Sequence, residues 1–189
     1  MTIASLGFLS FTFAVALVYR LMRPVWWRQS VLLIANVAFL GSFAASATSV
    51  LPLLGFLATG YMCLSACQRG VSRRVFVAIL VLVTALFFWL KRYSFLPQGS
   101  FLPFYYSVIG LSYIFFRVMH VIIDSYGGDL PNRITPVAYL NYVLNFTSLV
   151  SGPIQRYQDY ASTQLGSTRP PLNWPLVAVS YTHLTLPTN

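Results

Sequence analysis

Residues 110–128 read GLSYIFFRVMHVIIDSYGG. As a helix, this stretch places Gly110, Tyr113, Arg117, His120 and Asp124, spaced 3, 4, 3 and 4, on one face. A cation, a titratable imidazole and a carboxylate thus form a polar stripe on an otherwise apolar helix. An ionisable group turned to lipid at mid-bilayer costs about 2.5–3.5 kcal/mol, so the stripe is expected to face the protein interior or a wet cavity. Arg117 and Asp124 are about 10 Å apart in helical rise. They are therefore not expected to pair, and His120 lies one turn from each. The stripe has two readings of equal weight. It lines a polar path for a substrate, or it bonds to neighbouring helices and holds a bundle in register. His120 reads as a member of this network rather than as a catalytic base.

A second segment, NYVLNFTSLVSGPIQRYQDY at 141–160, repeats the pattern. Asn141, Asn145, Ser148 and Gly152 are spaced 4, 3 and 4, which predicts one polar face on an apolar helix. Gly152-Pro153 then breaks the helix, because proline has no N–H to donate and clashes with the preceding turn. Arg156 and Asp159 follow at once. The break fits a cavity-lining element with Arg156 offered to an anion or a carbonyl, since bare backbone at membrane depth needs protein or water around it. It also fits an ordinary helix end with Arg156 at the headgroups, which residue types alone prefer. Asn145-Phe146-Thr147 matches the glycosylation triplet but lies inside an apolar span, where the match is coincidental.

These side chains sit in a chain of 189 residues that is 57% hydrophobic and 8% charged, with 12 Lys plus Arg, three acids and no Glu. A soluble domain usually carries about 25% charged residues, so cytosolic globular, disordered and collagen-like classes fit poorly. The charges are also clustered: residues 29–68 hold none, and neither do 1–19, 75–90, 93–116 or 134–155. A helix crosses the hydrocarbon core in roughly 20 apolar residues. The expected architecture is an all-α, polytopic transmembrane bundle of five or six spans, at 3–19, 30–48, 51–67, 75–90, 104–125 and 136–151, with a turn near Ser49–Pro52.

The net charge of +9 resides in short basic clusters between these spans: Arg20, Arg23 and Arg28; Arg69, Arg73 and Arg74; Lys91 and Arg92. That is the pattern of loops facing the cytoplasm and anionic headgroups, not of a nucleic-acid binder. The two arginine triplets bracket one helical hairpin, which puts them in the cytoplasm and the N-terminus outside a plasma (inner) membrane. With no positive residue before it, the first span reads as an uncleaved anchor. Trp26, Trp27, Trp89 and Tyr93 stand beside basic residues, where aromatic belts are expected. Cys63 and Cys67, four apart, are too few for a disulfide framework or a zinc site and read as small buried side chains, although Cys67 beside Arg69 suits palmitoylation. No internal repeat is present.

The two motif segments together resemble the membrane-bound O-acyltransferase family, especially its bacterial branch of alginate O-acetyltransferases and D-alanyl transfer proteins. The matching residues are Gly110, Ser112, Tyr113, Arg117, Asp124 and Tyr126, then Gly152, Pro153, Ile154, Arg156 and Tyr157; the loop RLMRPVWWRQ is also similar. Phe146-Thr147-Ser148 stands where the family usually has an aromatic-Phe-Pro step. The resemblance covers only the N-terminal part of the family's domain, here residues 1–179. It implies that a histidine beyond the end of this chain is the general base, so no catalytic residue is expected within it. Arg117, His120, Asp124, Asn145, Gly152, Pro153 and Arg156 would be channel or scaffold residues. It implies transfer of an acetyl or similar group from a thioester or carrier-linked donor to a hydroxyl of a cell-envelope polymer, with other modification proteins as partners and with no metal or cofactor. Residues 180–189, SYTHLTLPTN, resemble translated sequencing adapter and are expected to be non-native, which leaves His183 without functional weight. The rival readings are a transporter or flippase with a polar intramembrane path, and a membrane subunit without chemistry.

Overall fold

A computed structural model describes residues 6–44, 46–93, 110–130, 133–149, 155–164 and 166. Among them seven α-helices follow one another: α1 Leu6–Leu21, α2 Val25–Gly41, α3 Leu51–Gln68, α4 Arg73–Lys91, α5 Leu111–Gly127, α6 Pro136–Val143 and α7 Tyr157–Gln164. A 3-10 turn at Ala47–Val50, capped by Ser46, joins α2 to α3 close to the expected turn. No strand occurs among the described residues.

The helix ends follow local chemistry. The Ser72 hydroxyl accepts from the Val75 N–H at the start of α4, and the Thr135 hydroxyl accepts from the Ala138 N–H at the start of α6, where Pro136 occupies the first turn. Gly110 precedes α5 with φ +73°, and Gly128 follows it with φ +81°. Both sit in the left-handed region that favours glycine.

Stacked rings give the helix directions. Phe87 lies on Phe115 at 4.2 Å, and Phe76 lies on Tyr126 at 3.9 Å, so α4 and α5 run antiparallel. The short connection from Arg69 to Ser72 makes α3 and α4 antiparallel as well. The Tyr139 hydroxyl donates to the Leu57 carbonyl at 3.2 Å and the Tyr61 hydroxyl to the Ile134 carbonyl at 3.3 Å, which docks α6 antiparallel on α3. Gly60 permits that contact: a Cβ there would come within 2.9 Å of Val118 and strike the Tyr139 hydroxyl. An aromatic cluster of Phe8, Phe11, Phe39 and Phe146 joins α1, α2 and the turn after α6. The core lies under α3 and α5, with Leu64, Ile114, Val118, Val121 and Ile122 fully enclosed.

The outer surface is not that of an ordinary soluble bundle. Leu9, Phe13 and Leu17 on α1, Ile34 and Val37 on α2, and Val77 and Val81 on α4 are at least half exposed. Two helices, Thr48–Gln68 and Arg73–Lys91, are long and apolar enough to cross a membrane; α1 and α2 are shorter apolar helices.

Three expectations are corrected. The helix expected over 136–151 ends at Val143, so α6 has eight residues and spans about 12 Å, too little to cross a hydrocarbon core. Asn145 ends it: its Oδ1 accepts from the Thr147 N–H at 3.3 Å and from the Thr147 hydroxyl at 2.8 Å, a local turn that competes with helix. Gly110 caps α5 rather than sharing its polar face. Arg28, grouped with the loop cations, lies within α2 and is only 2% exposed.

Candidate functional site

Arg117 occupies the middle of α5, is 2% exposed, and is held from one direction. Its Nη1 donates to the Tyr142 carbonyl at 2.9 Å, its Nη2 donates to the Ser148 hydroxyl, and its guanidinium carbon lies 5.7 Å above the Tyr142 ring. The carbonyl is available because α6 stops: residues in the last turn of a helix lack an acceptor-side partner within it. The turn made by Asn145 brings Ser148 round to the same guanidinium. Tyr142 packs in turn on Tyr157 at 5.3 Å and Tyr160 at 5.5 Å, and its hydroxyl donates to the Gln155 carbonyl at 2.9 Å. The two polar segments therefore do meet, through Ser148 and the end of α6.

Arg117 Nε, His120 Nδ1, Asp124 Oδ2 and Ser125 Oγ are all buried without a hydrogen-bond partner among the described residues. They run along α5 toward its C-terminus, which Phe76–Tyr126 stacking places at the same end as Arg73 and Arg74. A buried polar atom left unpaired costs about 1–3 kcal/mol, and those of Arg117, His120 and Asp124 fall on three successive turns, with Ser125 next to Asp124. Such a row can hold water, or the polar part of a bound molecule.

Other expected residues divide differently. Asn145 is half-buried and spends its side chain on its own turn, not on Arg117. Arg156 is exposed at the start of α7. Gly152 and Pro153, like Ile154 and the tail at 180–189 with His183, lie outside the described residues. Cys63 and Cys67 are both buried in α3, which withholds Cys67 from a surface acyl group.

A second buried polar group lies at the α2–α6 contact; sequence reasoning singled out its Asn141 but missed Asn36 and the burial of Arg28. Asn36 Nδ2 donates to Asn141 Oδ1 at 3.2 Å, and Asn141 Nδ2 donates to the Gln29 carbonyl at 2.9 Å. Asn36 Oδ1 accepts the Phe146 N–H at 2.9 Å. Arg28 Nη2 reaches the Gly166 carbonyl at 2.7 Å, and its Nε is buried without a partner. Asn36 carried a signal, being the one amide in the apolar run VLLIANVAFL. Arg28 carried none, because proximity to Arg20 and Arg23 hid it. No family model, curated protein or solved structure matches this chain.

Proposed function

We propose that this chain is the N-terminal helical part of a membrane-embedded O-acyltransferase. In this reading α5 lines the path by which an acyl donor reaches the interior of the bundle. What supports embedding is the exposed apolar surface of α1 to α4, which water would not tolerate as a continuous face. The observation that supports the path is the set of buried atoms without a hydrogen-bond partner among the described residues: Arg117 Nε, His120 Nδ1, Asp124 Oδ2 and Ser125 Oγ. It starts deep in the bundle and runs toward the end marked by Arg73 and Arg74, the cytoplasmic end by the charge rule.

The chemistry follows from the resemblance in the two motif segments. A histidine outside residues 1–189 removes the proton from an acceptor hydroxyl, and the oxygen attacks the acyl carbonyl of a thioester or carrier-linked donor. Donors on the protein stabilise the oxyanion, and a dry bundle limits hydrolysis of the donor. The acceptor is a cell-envelope polymer on the outer side of the plasma membrane, where the N-terminus also lies. Arg117, held by Tyr142 and Ser148, is a positioning residue here and not a catalytic one.

The row also suits a transporter or flippase, since charged groups inside a bundle mark substrate paths. Thiol labelling tests the path itself. In a Cys63→Ala, Cys67→Ala background, His120→Cys is expected to react with a water-soluble maleimide in membranes, while Ile123→Cys on the exposed apolar face stays unlabelled. Equal protection of both positions would sink the path. Acyl transfer tests the assignment: the 189-residue chain alone is expected to transfer no acetyl group from a thioester to a polysaccharide hydroxyl. Reading the gene past codon 179 separates the two functions. A lone intramembrane histidine beside Trp and Arg supports the transferase, and a second half mirroring the first supports the transporter.

A further inference from the structure

Between α1 and α2 lies an open groove of about 340 Å3 whose presented wall is apolar. Phe11, Val15 and Val18 form one side, and Trp27, Ile34 and Ala38 the other. A single slender hydrocarbon chain can lie along this groove. At the α1–α2 bend the groove is closed by Trp27, whose Nε1 donates to the Val18 carbonyl at 3.0 Å. Arg20 and Arg23 are exposed at that same bend, and Trp26 stands beside Trp27 in an edge contact at 6.0 Å. No acidic side chain precedes Asp124 in the sequence, so α1 to α4 carry cations and no anions.

The geometry points to a binding site for an anionic phospholipid, with one acyl chain in the α1–α2 groove and its phosphate at Arg20 and Arg23. Tryptophan at the groove mouth fits this placement, because indole rings lie at headgroup level with their N–H groups bonded. Basic clusters at a helix end attract anionic headgroups at the same depth. The site rests on the reading that the chain lies in a bilayer, and it is independent of any acyl transfer.

Native mass spectrometry of the full chain, released from mild detergent after incubation with phosphatidylglycerol or phosphatidylcholine of identical acyl chains, tests it. One phosphatidylglycerol per chain is expected to be retained in preference to phosphatidylcholine. Arg20→Ala with Arg23→Ala is expected to weaken retention by about 30-fold. Removing the same charge elsewhere, by Arg73→Ala with Arg74→Ala, is expected to leave it unchanged. Ala38→Trp fills the groove from an exposed position and is expected to abolish retention while helical circular dichroism stays intact. Equal retention of both lipids, equal loss from the two double variants, or undisturbed binding in Ala38→Trp would each overturn the site. Membrane fractionation keeps the two readings apart. A chain that stays in the membrane fraction yet retains no lipid refutes only the groove, whereas a chain found in the aqueous fraction refutes the embedding on which it rests.

Discussion

The Arg117 guanidinium binds Tyr142 twice, donating to its backbone carbonyl at 2.9 Å and lying 5.7 Å over its ring. One cation thereby joins α5 to the end of α6 and, through the Tyr142–Tyr157 ring contact, to α7. Hydrogen bonds from a charged donor contribute about 1.5–3 kcal/mol each. Arg117→Ala is expected to destabilise the fold by about 3 kcal/mol, measured by chemical denaturation in detergent. Arg117→Met keeps most of the volume and removes the buried charge, so its loss should be smaller. Equal losses in the two variants would mean that packing, not the guanidinium, holds this junction.

The Asn36–Asn141 pair is expected to behave as a unit. Asn36→Leu strands both the Phe146 N–H and Asn141 Oδ1 in a buried setting, a cost of about 1–3 kcal/mol for each group. Adding Asn141→Leu removes the second stranded group, so the double variant should be less unstable than the two single losses summed. A double-mutant cycle reads this directly, with an expected coupling of about 0.5–3 kcal/mol. Additivity within error would refute the pair.

How much of this arrangement the residues reveal in advance depends on how local its causes are. α3 and α4 were legible to within a residue or two, because each is an apolar run of near-membrane length closed by basic residues and, for α4, by Ser72 as cap. The inward turn of Arg117 was legible from the spacing on α5 and the cost of the alternative. The end of α6 was not: the 4, 3, 4 spacing of Asn141, Asn145, Ser148 and Gly152 continues a helix on paper. The competing turn is completed by Asn36, which takes the Phe146 N–H from 110 residues away in sequence. Arg28 was misread for the same kind of reason, since its partner carbonyl belongs to Gly166, 138 residues distant.

Two glycines separate backbone strain from crowding. Gly110 has φ +73°, and a Cβ there would meet the Leu149 carbonyl oxygen at 2.9 Å. Gly128 has φ +81° with open space around it. Gly128→Ala is expected to cost about 1 kcal/mol, the left-handed penalty alone. Gly110→Ala should cost more and shift the adjoining Ser148, loosening its bond to Arg117. Parallel thermal melts of the two variants check the order, and reversal of that order would refute the close packing of Gly110 on Leu149.

Alkaline pH should loosen α7. Burial pushes the Tyr157 phenol up to about 12 from an ordinary value near 10. A group whose folded value is raised contributes stability that is complete below pH 10 and is lost as pH climbs from 10 toward 12. The Tyr160 phenol, raised by the same cause, adds in the same direction. Tyr157→Phe cannot ionise, so its melting temperature should fall less over that window than that of the parent chain. Identical slopes would show that Tyr157 is not held in an environment hostile to phenolate.

His120 and Asp124 decide between the two readings of the α5 stripe, because those readings differ in what each atom has to lose. If the side chains held the bundle in register, His120→Phe and Asp124→Leu would remove hydrogen bonds and lower stability, as Arg117→Ala is expected to. Among the described residues His120 Nδ1 and Asp124 Oδ2 have no bonds to lose, and each already carries the cost of burial without a partner. Replacing them with apolar side chains removes that cost, so melting temperatures are expected to stay level or rise, by the equivalent of about 1 kcal/mol at most. Under the proposed path, side chains that have no partner among the described residues, beside a firmly anchored arginine, are free to meet whatever enters the bundle. Clear destabilisation by both substitutions would assign the row to architecture and leave the donor path without its lining.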